Sequence, residues 1–109
     1  MRARVKRRSK YGAQKAVGSD GFKYDSQAEC RYGEKLLALW KTGTIPLLLR
    51  QVPFYLPGGI RYRLDFMWID PEGELQFDDV KGFETKEFIM KKKLVLDAYG
   101  IEIRCVKGK

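Results

Sequence analysis

Histidine is absent from all 109 residues. That removes Ser-His-Asp and Cys-His catalysis, HExxH zinc sites and any nuclease built on a histidine general base. Cysteine is nearly absent too. Cys30 and Cys105 form no CxxC pair, which excludes a disulfide framework and a zinc ribbon. No apolar run approaches the length that spans a bilayer, so no membrane partner is expected. No GxxxxGK[ST] loop is present, and no nucleotide cofactor is expected. The N-terminus lacks the apolar stretch of a signal peptide, so the expected compartment is the cytoplasm. Any chemistry is left to carboxylates, lysines, hydroxyls or a bound metal.

What is present is positive charge, unevenly placed. The formal net charge is +8. Arg2, Arg4, Lys6, Arg7, Arg8, Lys10 and Lys15 fall in the first 15 positions with no acid among them. The other 15 basic groups almost cancel the 14 acidic ones. A basic arm over 1–15 on a nearly neutral domain over 16–109 suggests a polyanionic partner, nucleic acid first. A solvated tail is the plain alternative.

The domain reads as a mixed α/β unit. Residues 16–25 hold a Gly-Ser-Asp-Gly turn and suggest a small hairpin. A helix is expected over 27–41, capped by Asp25 or Ser26 and ended by Gly43. Ala28, Tyr32, Leu36, Leu39 and Trp40 form its apolar arc, and Glu29 falls inside that arc. A buried unpaired carboxylate is costly, so Glu29 is either functional or placed at the arc's edge reaching water or an arginine. Residues 47–56 look extended, with Pro53 marking an edge or a bend. Strands are expected over 61–69 and 74–81 around the turn Asp70-Pro71-Glu72-Gly73. Thr85 starts a second helix over 86–99, with Phe88, Ile89, Val95, Leu96 and Tyr99 on one arc, and Gly100 ends it. A last strand is expected over 101–106. The order is helix, three strands, helix, strand, a sheet flanked by helices.

The turn makes a register prediction. A type I turn closed by a glycine bulge pairs Asp70 with Glu74. Ile69 then faces Leu75, Met67 faces Phe77, and Asp65 faces Asp79. Opposed like charges about 5 Å apart at Cβ are destabilising unless a cation lies between them. Lys81 projects from the same face as Asp79. Carboxylates suit Mg²⁺, and a lysine can orient water or steady charge on a phosphate. A one-residue slip would instead turn Asp78 inward.

Glu29, Asp65 in RLDF and Asp79-Val80-Lys81 resemble the signature of the PD-(D/E)XK nuclease superfamily. The order of elements is similar to that superfamily's restriction-endonuclease-like αβββαβ core. KYGAQK, DGFKYDSQAE, Gln51 in RQVPF, YRLDF, DDVKG and KEFIMKKKL resemble a small phage and prophage group of endonuclease-like, Holliday junction resolvase-like proteins, over roughly residues 10–107. The resemblance implies that Asp65, Asp79 and the Val80 carbonyl bind Mg²⁺, with Mn²⁺ as a substitute. Glu29 would act on the metal or through its water. Lys81 would position the attacking water. Gln51 would be an accessory residue, or else an ordinary strand glutamine. Lys91 or Lys92 would touch the scissile phosphate, or else be a surface lysine. One departure is Leu64, where the superfamily usually has proline.

The implied activity is a Mg²⁺-dependent DNA endonuclease selective for four-way junctions or branched DNA. It would serve phage replication or recombination as a homodimer in the host cytoplasm. Trp40, Trp68 and Leu47–Leu49 are candidates for the dimer surface, with the core as the alternative. The competing reading is a non-catalytic basic DNA-binding protein on a nuclease-like fold.

Overall fold

The computed structural model describes residues 15–108. The expected DNA-binding residues Arg2, Arg4, Lys6, Arg7, Arg8 and Lys10 lie outside that range, and Lys15 is exposed at its start. A two-strand hairpin, β1 (Ala16–Val17) and β2 (Lys23–Tyr24), leads into α1 (Gln27–Lys41). Then follow β3 (Leu47–Leu56), β4 (Ile60–Ile69), β5 (Leu75–Lys81), α2 (Lys86–Tyr99) and β6 (Arg104–Lys107). β3, β4, β5 and β6 form one mixed sheet in that order, antiparallel except for the parallel pair β5–β6. Among the described residues no helix is long and apolar enough to cross a membrane.

Local chemistry explains the element ends. Ser26 caps α1 by accepting from Glu29 N, and Thr85 caps α2 by accepting from Phe88 N. Gly100 ends α2 at φ 70°. In the turn, Asp70 N donates to Glu74 O and Gly73 stands at φ 86°, so the glycine-bulged closure is present. Ile69↔Leu75 and Met67↔Phe77 pair as expected, and the ladder ends at Phe66↔Asp78.

Each face of the sheet carries one helix and one apolar cluster. Leu36 of α1 packs with Tyr24, Phe66 and Val80 on one face. Phe88 and Val95 of α2 pack with Phe54, Leu56, Tyr62 and Leu64 on the other. In a regular strand Leu64 and Phe66 would share a face. Here they do not, and Val52 and Leu48 are split in the same way. Both strands change phase at Gln51 and Asp65, which are missing from the paired ladder between Arg50↔Phe66 and Val52↔Leu64. Gln51 has φ 52°, and is the one non-glycine residue with positive φ among those described. A left-handed non-glycine backbone is strained, and such strain gathers at functional sites.

Three expectations shift. The buried strip of α1 is Glu29, Gly33, Leu36 and Leu37, while Leu39 and Trp40 remain 37% and 48% exposed. The strip turns toward Gly33 because the Tyr24 ring packs there. The buried residues of α2 are Phe88 and Val95, with Ile89, Leu96 and Tyr99 left exposed. β6 begins at Arg104 rather than at 101, although Ile103 is buried in the core. Of the candidate dimer residues, Trp68 and Leu48 pack under α1, whereas Trp40 and Leu49 are exposed.

Gly33 makes a sharp stability prediction. A Cβ there would lie 2.6 Å from Tyr24 Oη and 2.7 Å from two ring carbons. Gly33→Ala in a helix interior normally gains about 1 kcal/mol. Here overpacking against an almost fully buried ring reverses the sign, for a net loss of about 1–3 kcal/mol in urea unfolding. A stabilised Gly33→Ala protein would contradict this packing.

Candidate active site

The phase change on β4 determines what Asp65 does. Beyond Phe66↔Asp78 the backbone ladder stops, and Asp65 Oδ2 accepts from Val80 N at 2.8 Å. The Asp65 side chain therefore lies over β5, where the charge of Asp79 helps raise its carboxyl. The expected pairing of Asp65 with Asp79 is not part of the ladder, and Asp65 meets β5 instead through the backbone N–H of Val80.

Asp79 is 1% exposed. Tyr62 Oη donates a very short hydrogen bond to its Oδ2. Its Oδ1 has no partner in hydrogen-bond geometry, although Lys81 Nζ stands 3.3 Å away as an ion pair. The same ammonium lies 5.1 Å from the Phe88 ring centroid, which restrains it beside the carboxylate. Val80, between them, turns its side chain into the α1 cluster.

Glu29 enters from the first turn of α1. It is 4% exposed, which excludes the water-reaching edge position. Its Oε2 is buried without a hydrogen-bond partner. Burial first, then the nearby charge of Asp25, push its carboxyl up to about 7, against a hydrogen bond from Gln51 that lowers it. Asp65 is pushed up to about 9, chiefly by burial and then by the charges of Asp79 and Glu29. The charge of Asp79 thus contributes to raising both Glu29 and Asp65.

Gln51 thus belongs to the site. Its left-handed backbone and its Nε2 bond to Lys23 O, 3.2 Å, hold the amide beside Glu29. Lys91 and Lys92 do not join it. Lys91 pairs with Glu87 at 3.2 Å, and Lys92 with Glu84 at 3.9 Å. Both ammoniums thus pair with acids one helical turn or one loop away, and neither is among the partners of Asp65, Asp79 or Glu29. Tyr62 was missed by sequence reasoning. A tyrosine at a core strand position needs a partner for its hydroxyl, and that need was the available signal. Arg63 was missed as well. It pairs with Asp25 at 2.5 Å and its charge favours the ionised Glu29.

Asp78 settles the register. It is fully buried on the α1 face of β5 and fully partnered. Arg104 Nε and Nη2 donate at 2.8 and 2.9 Å, Trp68 Nε1 at 2.8 Å and Tyr32 Oη at 2.5 Å. Of two adjacent buried aspartates, one is satisfied by the fold and the other is not. Among the described residues no group of three or more aspartate, glutamate or cysteine side chains is placed to hold a metal ion.

The repulsion predicts pH-dependent stability. Glu29 and Asp65 hold protons more tightly folded than unfolded. Their contribution is fully present only below their ordinary values, 4.5 for Glu29 and 3.8 for Asp65, and is lost as pH rises through about 7 and about 9. In EDTA, stability is expected to fall by several kcal/mol from pH 5 to 8, at up to about 1.4 kcal/mol per pH unit for each group, with Asp65 carrying the larger share and Glu29→Gln removing the smaller, mainly below pH 7. Thermal melts read this directly, and a flat wild-type profile would contradict the clustering.

Residues 8–107 match the family model described as "Protein of unknown function (DUF1064)". No curated protein and no solved structure matches the chain.

Proposed function

The chain belongs to this family of unknown function, and from its own residues we propose that it is a divalent-metal-dependent DNA endonuclease with a restriction-endonuclease-like core. The observation that carries the reading is the pair of buried carboxylate oxygens without partners, Glu29 Oε2 and Asp79 Oδ1, beside Asp65 and Lys81. Unsatisfied buried carboxylate is rare and costly in a native fold. A network built for stability would have hydrogen-bonded those oxygens, as Arg104, Trp68 and Tyr32 do for Asp78.

The donor set fits Mg²⁺ or Mn²⁺. Mg²⁺ is commonly held by one or two carboxylates and completes its shell with water and substrate phosphate, so an open arrangement rather than a closed cage is what it requires. Asp65, Asp79 and the Val80 carbonyl would hold it, with Glu29 acting directly or through a bound water. When bound, such an ion polarises a phosphoryl oxygen and makes water a better nucleophile.

The chain's own residues do the rest. Tyr62 fixes the Asp79 carboxylate through Oδ2 and leaves Oδ1, without a hydrogen bond, to the side of Lys81. Lys81 stands beside Oδ1, placed to orient the attacking water and to balance negative charge growing on the phosphate. Gln51 holds Glu29 in place. The apolar faces of Phe88 and Leu64 keep the field of these charges strong by excluding water.

The substrate we favour is branched duplex DNA, such as a four-way junction in phage replication or recombination. The acting form would be a homodimer that cuts two strands, with the exposed Trp40 and Leu49 as surface for a second copy. The test is cleavage of labelled junction, flap, plain duplex and single strand with Mg²⁺ and with EDTA. Metal-dependent cutting is expected. Metal-indifferent binding without cutting would favour a non-catalytic DNA-binding protein.

A further inference from the structure

We propose that the uncovered face of the β3–β4 hairpin, where Tyr55, Arg61 and Arg63 project, is a docking platform for an unpaired nucleotide of the DNA. The Tyr55 ring stacks on the base, and the two guanidiniums take the phosphates on either side of it. The inference rests on the nuclease reading for its choice of DNA, and it says which part of a branched substrate the protein holds.

The sheet builds the platform. β5 pairs with β4 through residues 66–69, so residues 60–64 have β3 as their strand neighbour and project past β5. Along this arm Phe54, Leu56, Tyr62 and Leu64 pack toward α2. Pro53, Tyr55, Arg61 and Arg63 alternate with them, so they point to the other face, and all four are exposed. Tyr55 stands opposite Arg61, and Pro53 opposite Arg63. α1 packs on this side beyond the phase change, where Tyr32 meets Phe66, and leaves the arm open. The phase change is what turns both arginines outward. Strict alternation from Phe66 would have put them under α2. The backing is firm. Tyr99 Oη donates to Tyr55 O at 2.5 Å, and the Phe54 ring packs edge-on against Tyr99 at 5.4 Å. α2 thus holds the Tyr55 backbone from behind while the side chain stays 65% exposed. A ring on a fixed backbone loses little freedom when a base stacks on it.

Charge names the occupant. Residues 52–64 contain two arginines and no acid. Arg61 is in none of the ion pairs among the described residues. Arg63 Nη2 meets Asp25 Oδ2 at 2.5 Å, a pair about half exposed on both sides. Such a pair is worth little in water, and the other guanidinium donors are left to a ligand. An exposed aromatic ring beside cations fits a base and its phosphates. Plain duplex keeps its bases inside the stack, so the ring calls for a nucleotide that is unpaired, as at a flap or an open branch point. A second copy docked here would bring four arginines to one contact, which disfavours it as the occupant. Position links the platform to the carboxylates. Arg63 lies two residues before Asp65, and its charge acts on Glu29. The platform therefore borders the site on the side from which Glu29 enters.

The test is binding of the full chain in EDTA, by anisotropy across a salt series, to a labelled single strand, a flapped duplex and a blunt duplex. Tyr55→Ala is expected to weaken single-strand and flap binding by about tenfold, within the range of one lost base–aromatic stack, and blunt-duplex binding by less than about twofold. Tyr55→Phe keeps the ring and is expected to bind like wild type. Arg61→Ala is expected to lower the slope of log K against log salt on the single strand by about 0.7, and Lys86→Ala, an exposed control on α2, by clearly less. Tyr55→Ala retains the carbonyl that accepts from Tyr99, so its melting temperature is expected to stay near wild type. Equal losses on all three DNAs, a Tyr55→Phe protein as weak as Tyr55→Ala, or equal slopes for Arg61→Ala and Lys86→Ala would overturn the proposal. So would sedimentation in which Tyr55→Ala turns a dimer into a monomer, since the face would then be a contact between copies. Because no turnover occurs in EDTA, the outcome separates from that of the catalytic reading. Wild-type cleavage with unchanged DNA preference in Tyr55→Ala removes only the platform. A ring-dependent preference without cleavage in any metal removes only the nuclease.

Discussion

Asp79→Asn is expected to abolish metal-dependent cleavage, by about 10³-fold or more, while DNA binding stays near wild type. A loss of that size is about 4 kcal/mol of transition-state stabilisation, within reach of a group that holds the metal and faces the attacking water. The substitution is nearly isosteric. Asn keeps a carbonyl oxygen for the Tyr62 hydroxyl, so the buried hydrogen bond survives. What is lost is the charge that would hold a divalent cation and pair with Lys81. Stability is expected to move the other way. Removing one of three buried charges relieves the repulsion that raises Asp65 and Glu29, so the apo variant should melt higher at pH 8 by on the order of 1 kcal/mol. An active site that is both costly and necessary shows this opposition of stability and activity. The measurement is paired: cleavage of junction and duplex substrates, and thermal melts in EDTA. Undiminished cutting by Asp79→Asn would sink the assignment.

Much of this site was legible because one turn is strongly specified. Asp70-Pro71-Glu72-Gly73 leaves little freedom, and its closure carries the register from Ile69↔Leu75 along to Phe66↔Asp78, one step short of Asp65 and Asp79. Glu29 was legible as a charge inside an apolar arc. The reading failed where tertiary contact decides. Nothing local requires Gln51 to adopt a left-handed backbone. It does so because β3 and β4 change faces together to serve two helices. That change also brings Tyr62 under Asp79, and strict alternation along β4 could not show it. Helical periodicity gave the direction of each apolar face but not its depth. Trp40, Ile89 and Leu96 lie on the arcs yet stay exposed, because Gly33 and Phe88 carry the close contacts. Lys91 and Lys92 illustrate another limit. A lysine-rich helix suggests phosphate, but Glu87 and Glu84 lie near enough to take both charges.

The neighbouring residue should behave in the opposite way. Asp78→Ala is expected to cost about 3–5 kcal/mol, the range seen when one partner of a buried ion pair is removed. Three side chains depend on this carboxylate. Trp68 Nε1 and Tyr32 Oη would be left with donors facing a cavity, and each unmet donor costs about 1–3 kcal/mol. Arg104 is half exposed and recovers part of its loss in water, which keeps the total from being larger. Against a typical total stability of about 5–15 kcal/mol, the variant will be marginal. Tyr32→Phe tests the same network more gently. It removes one donor, leaves the carboxylate with Trp68 and Arg104, and should cost about 1 kcal/mol in urea unfolding. The folded fraction of either variant is expected to cleave at the wild-type rate per active molecule, since Asp78 faces α1 and lies across β5 from Lys81. A stable Asp78→Ala protein without cleavage would exchange the roles of the two aspartates and shift the register of the site by one residue. The paired outcome, activity lost at 79 and stability lost at 78, distinguishes a carboxylate the fold uses from one it holds in reserve.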